Sequence, residues 1–565
     1  MIAMKLLLIH ADFIEWQAVK KALKGAAEAD KSPKRVDEAL VAFAAVEKAD
    51  EKNPGKVAEN AAKEILGVQE QVKSRAIVLY PYAHLSSSLA SPGIAQKVLD
   101  QVEKGLGKIP VHRAPFGWYK AFQLKAKGHP LAELSKQISA EGLPPRTARP
   151  VKIILDRSSL PKNDHRILGE QLKLFHFADE VGPGLPLWLP AGETLRHELE
   201  EFMREIEGSR GYTYVRTPHI TKGSLYEATG HLPYYKESMY APIDIEGTEY
   251  YLRPMNCPHH HMIFRKLVSS YRDLPLRLAE AGTTYRNELS GVTYGLIRVK
   301  AFTQNDAHLY VTPGQLKEEF ARVLELFDEV YRVMGITGYW YRLSLPDFRK
   351  NPEKFTGDPK DWEFAGEEIR KAMKEHKAPY KEEAGEAAFY GPKIDVQIRN
   401  ALGKEETIAT SQVDIVVPAR LGLTYTDRDD TKKHVIVIHR AILGSYERFI
   451  AYLLEQTSGA LPAWLSPIQA RVLSFTQRNS RAAEALAKEL QEKGVRAEAD
   501  LGDHTVEYKV REAELLKVPY ILVVGDKEEQ AGTVAVRRRG QKGVQFGVKK
   551  DHFVRDILEE IRRKA

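Results

Sequence analysis

The sequence predicts a multidomain α/β and α+β protein, and three observations carry that expectation. At 565 residues the chain holds three or four domains on the rough rule of about 100–200 residues each. Two proline-rich breaks divide it: Leu143-Pro-Pro-Arg-Thr-Ala-Arg-Pro150, and Gly459 to Pro467. The periodicity also changes between the pieces, with an alternating antiparallel hairpin in the middle and a strand–helix alternation at the end. The predicted units are residues 1–145, a linker over 146–190, a large unit over 191–463 and a last unit over 467–565.

Composition narrows the class. Apolar residues make up 43% and charged residues 28%, as in ordinary globular proteins. No apolar run approaches the roughly 18 residues that a membrane span requires, so no membrane association is expected. A single cysteine excludes a disulfide scaffold and, with no export signal at the N-terminus, predicts a reducing cytoplasm. A net charge of +7 permits a polyanionic partner without demanding one. No internal repeat or low-complexity tract is evident.

In the first unit, the run from Met4 to Asp12 reads as a buried strand. The charged, alanine-rich stretch from Lys31 to Lys63 reads as exposed helix and loop. Ala76 to Tyr82 is a second strand, whose end holds His84 and a serine run.

In the middle unit, Arg298, Lys300, Phe302, Gln304, Asp306 and His308 fall on one face of an alternating segment. Before it, Thr284-Tyr-Arg-Asn-Glu288 alternates too, with a Gly-containing loop between, so the whole reads as a hairpin. A solvated sheet face explains mixed polarity but not an aromatic ring set among cations. Arginines that fork onto phosphate and a ring that stacks on a base suit a nucleotide.

Cys257 lies in Met255-Asn-Cys-Pro-His-His-His261. A lone thiol is either inert packing or chemistry. With His259, His260, His261, His308 and His439 it offers a Zn²⁺ site, in which three protein ligands leave a fourth position open. The other reading is a buried cysteine beside a solvated histidine run.

The last unit alternates: strand from Arg471, helix over 480–493, strand from Gly494, helix over 506–516, strand from Pro519. That is a compact α/β layer.

Taken together these motifs resemble class II aminoacyl-tRNA synthetases. Tyr285-Arg-Asn-Glu288, with Arg298 and Phe302 to His308, looks like motif 2. Ile438 to Phe449, with Gly444 opening a helix that carries Arg448, looks like motif 3. The helix from Glu193 to Ile206 and the run Tyr212 to Pro218 look like motif 1, which builds the dimer interface. Met255-Asn-Cys-Pro258 together with Phe389-Tyr-Gly-Pro-Lys393 narrows the resemblance to the threonyl-tRNA synthetase family, over nearly the whole chain.

The resemblance implies a class II antiparallel-sheet catalytic core that joins ATP, L-threonine and tRNA(Thr), with Mg²⁺ accompanying ATP and one Zn²⁺ held by Cys257, His308 and His439. It implies that Arg286, with Lys393 and Gln304, serves the reaction. Arg286, Glu288, Arg298, Phe302 and Arg448 are implied to hold ATP, and Met255, Asp306, Tyr390, Thr410 and Gln412 the threonine. The first unit resembles the archaeal editing domain related to D-aminoacyl-tRNA deacylases, which implies an editing pocket of His84, Tyr119, Lys120 and Glu133. The HxxxH signature of the bacterial editing domain is absent. The last unit resembles the anticodon-binding domain, with Glu528 and Arg537 at base-reading positions and the Arg537–Arg539 run facing phosphate in part. A cytoplasmic homodimer is implied. His259, where bacterial relatives carry glycine, and Ser411 are small departures.

The metal has a physical rationale. Threonine and valine are nearly isosteric, and an apolar pocket separates such a pair by only about 10²-fold. A metal that engages the amino and hydroxyl groups rejects valine but still admits serine, so a second hydrolytic sieve is needed. The rival readings are a non-catalytic tRNA-binding paralogue, a prolyl or seryl synthetase, and an N-terminal unit that only docks.

Overall fold

The computed structural model describes residues 4–23, 25–86, 88–107, 109–127, 132–138, 160–289, 291–350 and 354–564. The Leu143–Pro150 joint, and with it residues 146–159 of the expected linker, lies outside the described residues. The chain divides into two compact units, Met1–Lys152 and Ile153–Ala565.

The first unit is a mixed six-stranded sheet. Met4–Lys21 is its long central strand, paired antiparallel with Lys34–Ala45 on one side and with Trp118–Ala126 and Glu133–Ile138 on the other. Ala76–Pro81 and Val111–Arg113 extend it in parallel beyond Lys34–Ala45. The helices Pro54–Val72 and Pro92–Gly105 bury Ala58, Ile65, Val98 and Leu99 against one face. The stretch from Lys31 to Lys63 is therefore not exposed helix and loop throughout. Leu40–Ala45 is fully buried at the sheet centre, and only the flanks carry charge. Small alanines made that run look helical, but a central strand covered on both faces needs no alternation.

The second unit is built on one mixed sheet of eight strands. Across the sheet their order is Tyr380–Ala384, Trp340–Leu345, Lys393–Arg399, Glu405–Asp414, Ile436–Ser445, Ala301–Val311, Leu276–Tyr285 and Thr213–Tyr214. The helices Leu316–Val333, Pro359–His376 and Tyr446–Thr457 cover its back face around Ile438, Ile442, Leu309, Phe320, Phe327 and Phe449. In Pro190–Gly208 a proline starts the helix, where a missing N–H costs nothing. Its buried stripe is Leu195, Leu199, Phe202, Met203 and Ile206, one helical face toward the core.

Residues 160–190, expected as linker, are instead part of this body. Asp164 caps the helix His165–Gln171 through its carboxylate and Arg166 N, and Leu168, Leu172, Leu174 and Phe175 join the main core. Four apolar side chains in so short a segment are buried too cheaply to remain a free linker.

The hairpin is present, with Leu276–Tyr285 against Ala301–Val311. Its second strand begins at Ala301, so Arg298 and Lys300 sit in the connecting loop rather than on the shared face. The turn Arg298 N to Tyr294 O, 3.2 Å, holds that loop instead. The last hundred residues form a five-stranded sheet with the helices Ser480–Glu492, Val506–Leu515, Asp526–Ala531 and Lys550–Arg563.

Candidate active site and metal centre

The register of three neighbouring strands assembles one functional face. Gln412 pairs with His439 and His439 with His308, while Thr410 and Asp306 both oppose Ala441. Asp306 in turn opposes Glu280, and Gln304 opposes Gly282. Directly opposed residues point to the same side of a sheet, so Thr410, Gln412, His439, His308, Asp306, Gln304 and Phe302 share the front. The intervening Asn305, Ala307, Ile438 and Arg440 point into the back core.

Across one end of this front lies the short helix Cys257–Leu267, with Pro258 in its first turn. Its first residue is Cys257, and the sulfur and one ring nitrogen each of His308 and His439 lie within 4.8 Å of one another. The rings of His308 and His439 stand 4.6 Å apart, nearly perpendicular. Each imidazole is already committed on its far nitrogen: His308 Nδ1 meets His260 Nδ1 at 2.8 Å, and His439 Nε2 meets Asp414 Oδ2 at 3.2 Å. One nitrogen of each remains for a metal, and outer partners of this kind orient metal-binding histidines. Burial pushes the Cys257 thiol well above its usual range, with Asp306 and Asp414 adding to the effect. Burial drives His308 well below its own range, so it stays neutral with a lone pair to give. A thiolate in that dry, acidic corner needs a cation, and the donor set fits Zn²⁺.

Of the local histidines, His259 and His261 hold no position in this set. His261 Nδ1 meets Tyr310 Oη at 2.9 Å, and His259 is buried with no hydrogen-bond partner for either ring nitrogen among the described residues. Sequence reasoning missed His231, which follows Gly230 in the left-handed region and brings Nε2 to 3.6 Å from Cys257 Sγ. It also missed Asn256, whose Nδ2 donates to Asp306 Oδ2 at 3.0 Å. Only the short Met-Asn-Cys-Pro run could have pointed to it.

Beside the metal set, Tyr390 stacks obliquely on His439, ring centroids 5.3 Å apart, and its hydroxyl donates to Gln412 Oε1 at 2.5 Å. Gln412 Nε2 continues to Thr410 Oγ1 at 3.1 Å, and Thr410 donates to Ile394 O. Lys393, opposite Gln412, turns its ammonium to Asp395 at 2.8 Å, a carboxylate it shares with Arg342. Burial raises the Asp306 carboxyl above its usual range. Met255, half-buried, precedes Cys257 by two residues.

The other end of the face is cationic. The Arg286 guanidinium lies 5.0 Å from the Phe302 ring centroid, and its Nε has no hydrogen-bond partner among the described residues. Arg448 donates to the carbonyls of Ile297 and Thr407, at 3.0 and 3.1 Å. Burial lowers its affinity for the proton, and Arg286 and Arg298 nearby lower it further. Arg298 pairs with Glu288 at 2.9 Å from a half-exposed position. Three guanidinium groups thus converge, with Glu288 paired to Arg298 and Glu406 acting on Arg448 without an ion-pair contact among the described residues, an arrangement that an anionic ligand would relieve.

Gly444 allows Arg448 to reach this place. Its φ is +62°, and a Cβ there would lie 2.1 Å from Ile408 O. The following Ser445 caps the helix Tyr446–Thr457 by accepting from Arg448 N. Behind the face, Arg440 pairs with Glu207 at 2.8 Å and Asn305 Nδ2 donates to the same oxygen, tying the helix Pro190–Gly208 to both central strands.

A second acidic cluster, Asp164, His165 and Glu455, is a structural knot. Both Asp164 oxygens hold Arg166, while Glu455 accepts from His165 Nδ1 at 2.7 Å and from Ala401 N at 2.9 Å. Its donors and acceptors are already satisfied within the protein.

In the first unit, Lys120 reaches back to the end of the Ala76–Pro81 strand. Its ammonium donates to Pro81, Pro115 and Trp118 carbonyls and lies 4.8 Å from the Tyr80 ring centroid. His84 approaches the same place through Tyr82, ring centroids 5.4 Å apart. Burial pulls the Lys120 ammonium down to about 8. Tyr119, 60% exposed, faces the opposite side of its strand, and Glu133 opposes Ile9 at an exposed position. His84 and Lys120 therefore both lie against the Tyr80–Tyr82 end of the Ala76–Pro81 strand, one on Tyr82 and the other on Tyr80, and Tyr119 points away from Lys120.

In the last unit, Glu528 Oε2 accepts from Gly525 N at 3.2 Å and Arg537, 40% exposed, pairs with Glu514. The Arg537–Arg539 run does not face outward as a whole. Arg538 pairs with Glu560, and Arg539, just past the end of the strand Thr533–Arg538, is turned inward onto the carbonyls of Lys517 and Leu461.

Comparison with known families matches this arrangement. Residues 4–138 fit the archaea-specific editing domain of threonyl-tRNA synthetase, residues 238–457 the class II tRNA synthetase core domain (G, H, P, S and T), and residues 469–560 the anticodon-binding domain. Fold and site together define a class II aminoacyl-tRNA synthetase architecture. The chain is 37% identical to a threonyl-tRNA synthetase structure from Cryptosporidium parvum described as its RNA binding domain, with TM-score 0.66, over 70% of this chain and 98% of that one. It is 30% identical to a putative threonyl-tRNA synthetase ThrRS-1 from Aeropyrum pernix, with TM-score 0.64, over 71% of this chain and 97% of that one. The chain belongs to the threonyl-tRNA synthetase family.

Curated threonine–tRNA ligases from Geobacillus kaustophilus and Bacillus subtilis are 45% and 43% identical over 71% of this chain. The matched region spans 62% of their length. Prolyl-tRNA synthetase from Cryptosporidium parvum, at 14% identity and TM-score 0.54, shares the fold alone. Among the described residues no helix is long and apolar enough to cross a membrane.

Proposed function

We propose that the chain is a threonine–tRNA ligase: it activates L-threonine with ATP, transfers it to tRNA(Thr) and hydrolyses mischarged seryl-tRNA(Thr) in its first unit. The convergence of Cys257, His308 and His439 at one end of a sheet face whose other end holds Arg286, Arg298 and Arg448 carries this reading.

Substrate roles follow the face. Asp306, buried and steadied by Asn256, receives the threonine ammonium. Tyr390, Gln412 and Thr410 form a hydrogen-bonded wall beside it, with Met255 and Gln304 completing the amino-acid side. Phe302 offers its ring to adenine and Glu288 the adenine edge, while Arg298 and Arg448 hold the terminal phosphate. Arg286 neutralises charge that builds on the α-phosphate as the threonine carboxylate attacks, the kind of preorganised stabilisation that carries most of such barriers. Lys393 contributes a further cation at the wall. When bound, Zn²⁺ held by Cys257, His308 and His439 would supply a Lewis-acid position that accepts an amino and a hydroxyl group. Mg²⁺ enters with ATP. The chain acts in the cytoplasm as a homodimer formed through the helix Pro190–Gly208 and the strand that follows it.

Serine shares threonine's two polar groups, and its missing methyl is worth roughly 1–3 kcal/mol. That leak supports editing by the first unit, with Lys120 and His84 in its pocket and Tyr119 and Glu133 at its margin. Glu528 and Arg537 read anticodon bases.

ATP–pyrophosphate exchange with threonine, serine, valine and proline, on metal-replete and chelated protein, tests the reading. Threonine-dependent exchange that vanishes with the metal, with weak serine and no valine exchange, is expected. Absence of threonine exchange in metal-replete protein would overturn it in favour of a tRNA-binding paralogue.

A further inference from the structure

We propose that His260 is a positioning residue of the metal site, accepting the Nδ1–H of His308 so that His308 presents its Nε2 lone pair to the ion. The inference rests on the reading of Cys257, His308 and His439 as metal ligands.

The argument starts at Glu280. Its Oε1 accepts from Thr217 N at 3.1 Å and lies 3.2 Å from Arg253 Nη1, while its Oε2 accepts from Thr217 Oγ1 at 2.7 Å. These donors hold the buried group as a carboxylate, which can only accept. His260 Nε2 stands 3.1 Å from the same Oε2 and must therefore carry a hydrogen. In neutral His260 that leaves Nδ1 as a lone pair, 2.8 Å from His308 Nδ1. Two lone pairs do not face each other at that distance, so the shared proton belongs to His308 Nδ1. Its Nε2 is then bare. The chain Glu280–His260–His308 thus writes one tautomer into the ligand from two hydrogen bonds away.

His439 reaches the same end by a different route. Its Nε2 faces Asp414 at 3.2 Å, which frees Nδ1. The helix geometry separates the three adjacent histidines: among the described residues the His259 ring has no hydrogen-bond partner, His261 hydrogen-bonds Tyr310 and meets His308 and His439 only edge-to-ring at 6.1 and 6.2 Å, and His260 alone of the three hydrogen-bonds a ligand. Sequence alone gave no means of choosing among them.

The test compares His260→Asn, His260→Gln and His260→Leu. An asparagine places its amide oxygen near the Nδ1 position and keeps the acceptor. A glutamine places its amide near the Nε2 position, keeps the contact to Glu280 and loses the acceptor. Zinc affinity of the metal-free proteins is measured by competition with a chromophoric chelator, and the visible ligand-field bands of the Co²⁺-loaded proteins are recorded. His260→Gln and His260→Leu are expected to bind zinc about 10–100-fold more weakly, the range for losing an outer partner of a metal ligand, with altered cobalt bands. His260→Asn is expected to stay within a few-fold of the native chain.

Thermal melts of the metal-free proteins report folding. If His260→Leu does not fold, the Asn and Gln pair decides alone. Native affinity in His260→Gln overturns the proposal, as does an equal loss in Asn and Gln. Native zinc affinity in Cys257→Ser instead sinks the ligand assignment itself.

Discussion

Replacing Gly282 with alanine tests whether the amino-acid end of the face is set by close packing. Gly282 lies opposite Gln304, and a Cβ there would fall 2.3 Å from Asn256 Nδ2, 2.7 Å from its Cγ and 2.8 Å from its Oδ1. To reach ordinary contact at roughly 3.5 Å, the carboxamide must retreat by about 1 Å. The Asn256–Asp306 bond, now 3.0 Å, then stretches beyond hydrogen-bonding range. Asp306 loses a partner inside a buried site, and Asn256 precedes the helix that delivers Cys257.

A displacement of that size at positioned groups costs about 10²-fold in rate, while overpacking costs about 1–3 kcal/mol of stability. Threonine-dependent ATP–pyrophosphate exchange by Gly282→Ala should show that loss in kcat/KM, while the ATP KM should hold. Asn256→Ala removes the three atoms nearest the new methyl, so adding Gly282→Ala to it should cost little more. The two changes should therefore couple by about 1–3 kcal/mol. Unchanged threonine kcat/KM in Gly282→Ala, or losses that simply add, would refute the reasoning.

Three other outcomes are expected. Burial lowers Lys120 from 10.5 to about 8, so its ammonium is present below that pH and lost above it. Catalysed seryl-tRNA deacylation, corrected for the spontaneous reaction, should decline as pH rises through about 8, and Lys120→Arg should flatten that limb. Gly444→Ala must place a side chain at φ +62° and 2.1 Å from a backbone oxygen. It should lose ATP-dependent exchange together with at least about 1–3 kcal/mol of stability in denaturant titration, because strand and helix cannot both keep their places. Arg440→Met leaves Glu207 charged in the core and should cost about 3–5 kcal/mol by the same titration, whereas Arg440→Met with Glu207→Leu should cost less than the single change.

Much of the site was legible because it is written in strand alternation. Gln304, Asp306 and His308 fall on one face by sequence, and the pairing of His308 with His439 completes the set across 130 residues of chain. Arg298 was placed on that face wrongly, since a loop side chain obeys no period. The buried Lys34–Ala45 strand was missed for the converse reason, because a run covered on both sides shows no alternation to read. The roles of Asn256, His260 and Glu280 were invisible, because they depend on how a helix start meets a sheet. The segment 160–190 read as linker because its few apolar residues show their value only against the helix Tyr446–Thr457 and its neighbours.

The register does more than gather residues, because it fixes their order. From His308 to Phe302 is six residues along one strand, about 20 Å at roughly 3.3 Å per residue. Metal ligand, Asp306, Gln304 and Phe302 follow at two-residue steps on the same side. On the proposed reading, an amino acid joined to a nucleotide and laid along this strand would have the Cys257–His308–His439 set at its side chain, Asp306 at its ammonium and the Phe302 ring at its base. Slipping the Leu276–Tyr285 strand by one residue would turn Gly282 and Glu280 to the back and bring Ala281 and Thr283 to the front. That would remove the gap Asn256 occupies and the carboxylate that holds His260 in one step. Ile436–Ser445 is pinned from the back by Arg440 on Glu207, and from the front by His439 on Asp414. The buried ion pair behind the sheet thus ties the strand that carries His439 to the helix Pro190–Gly208.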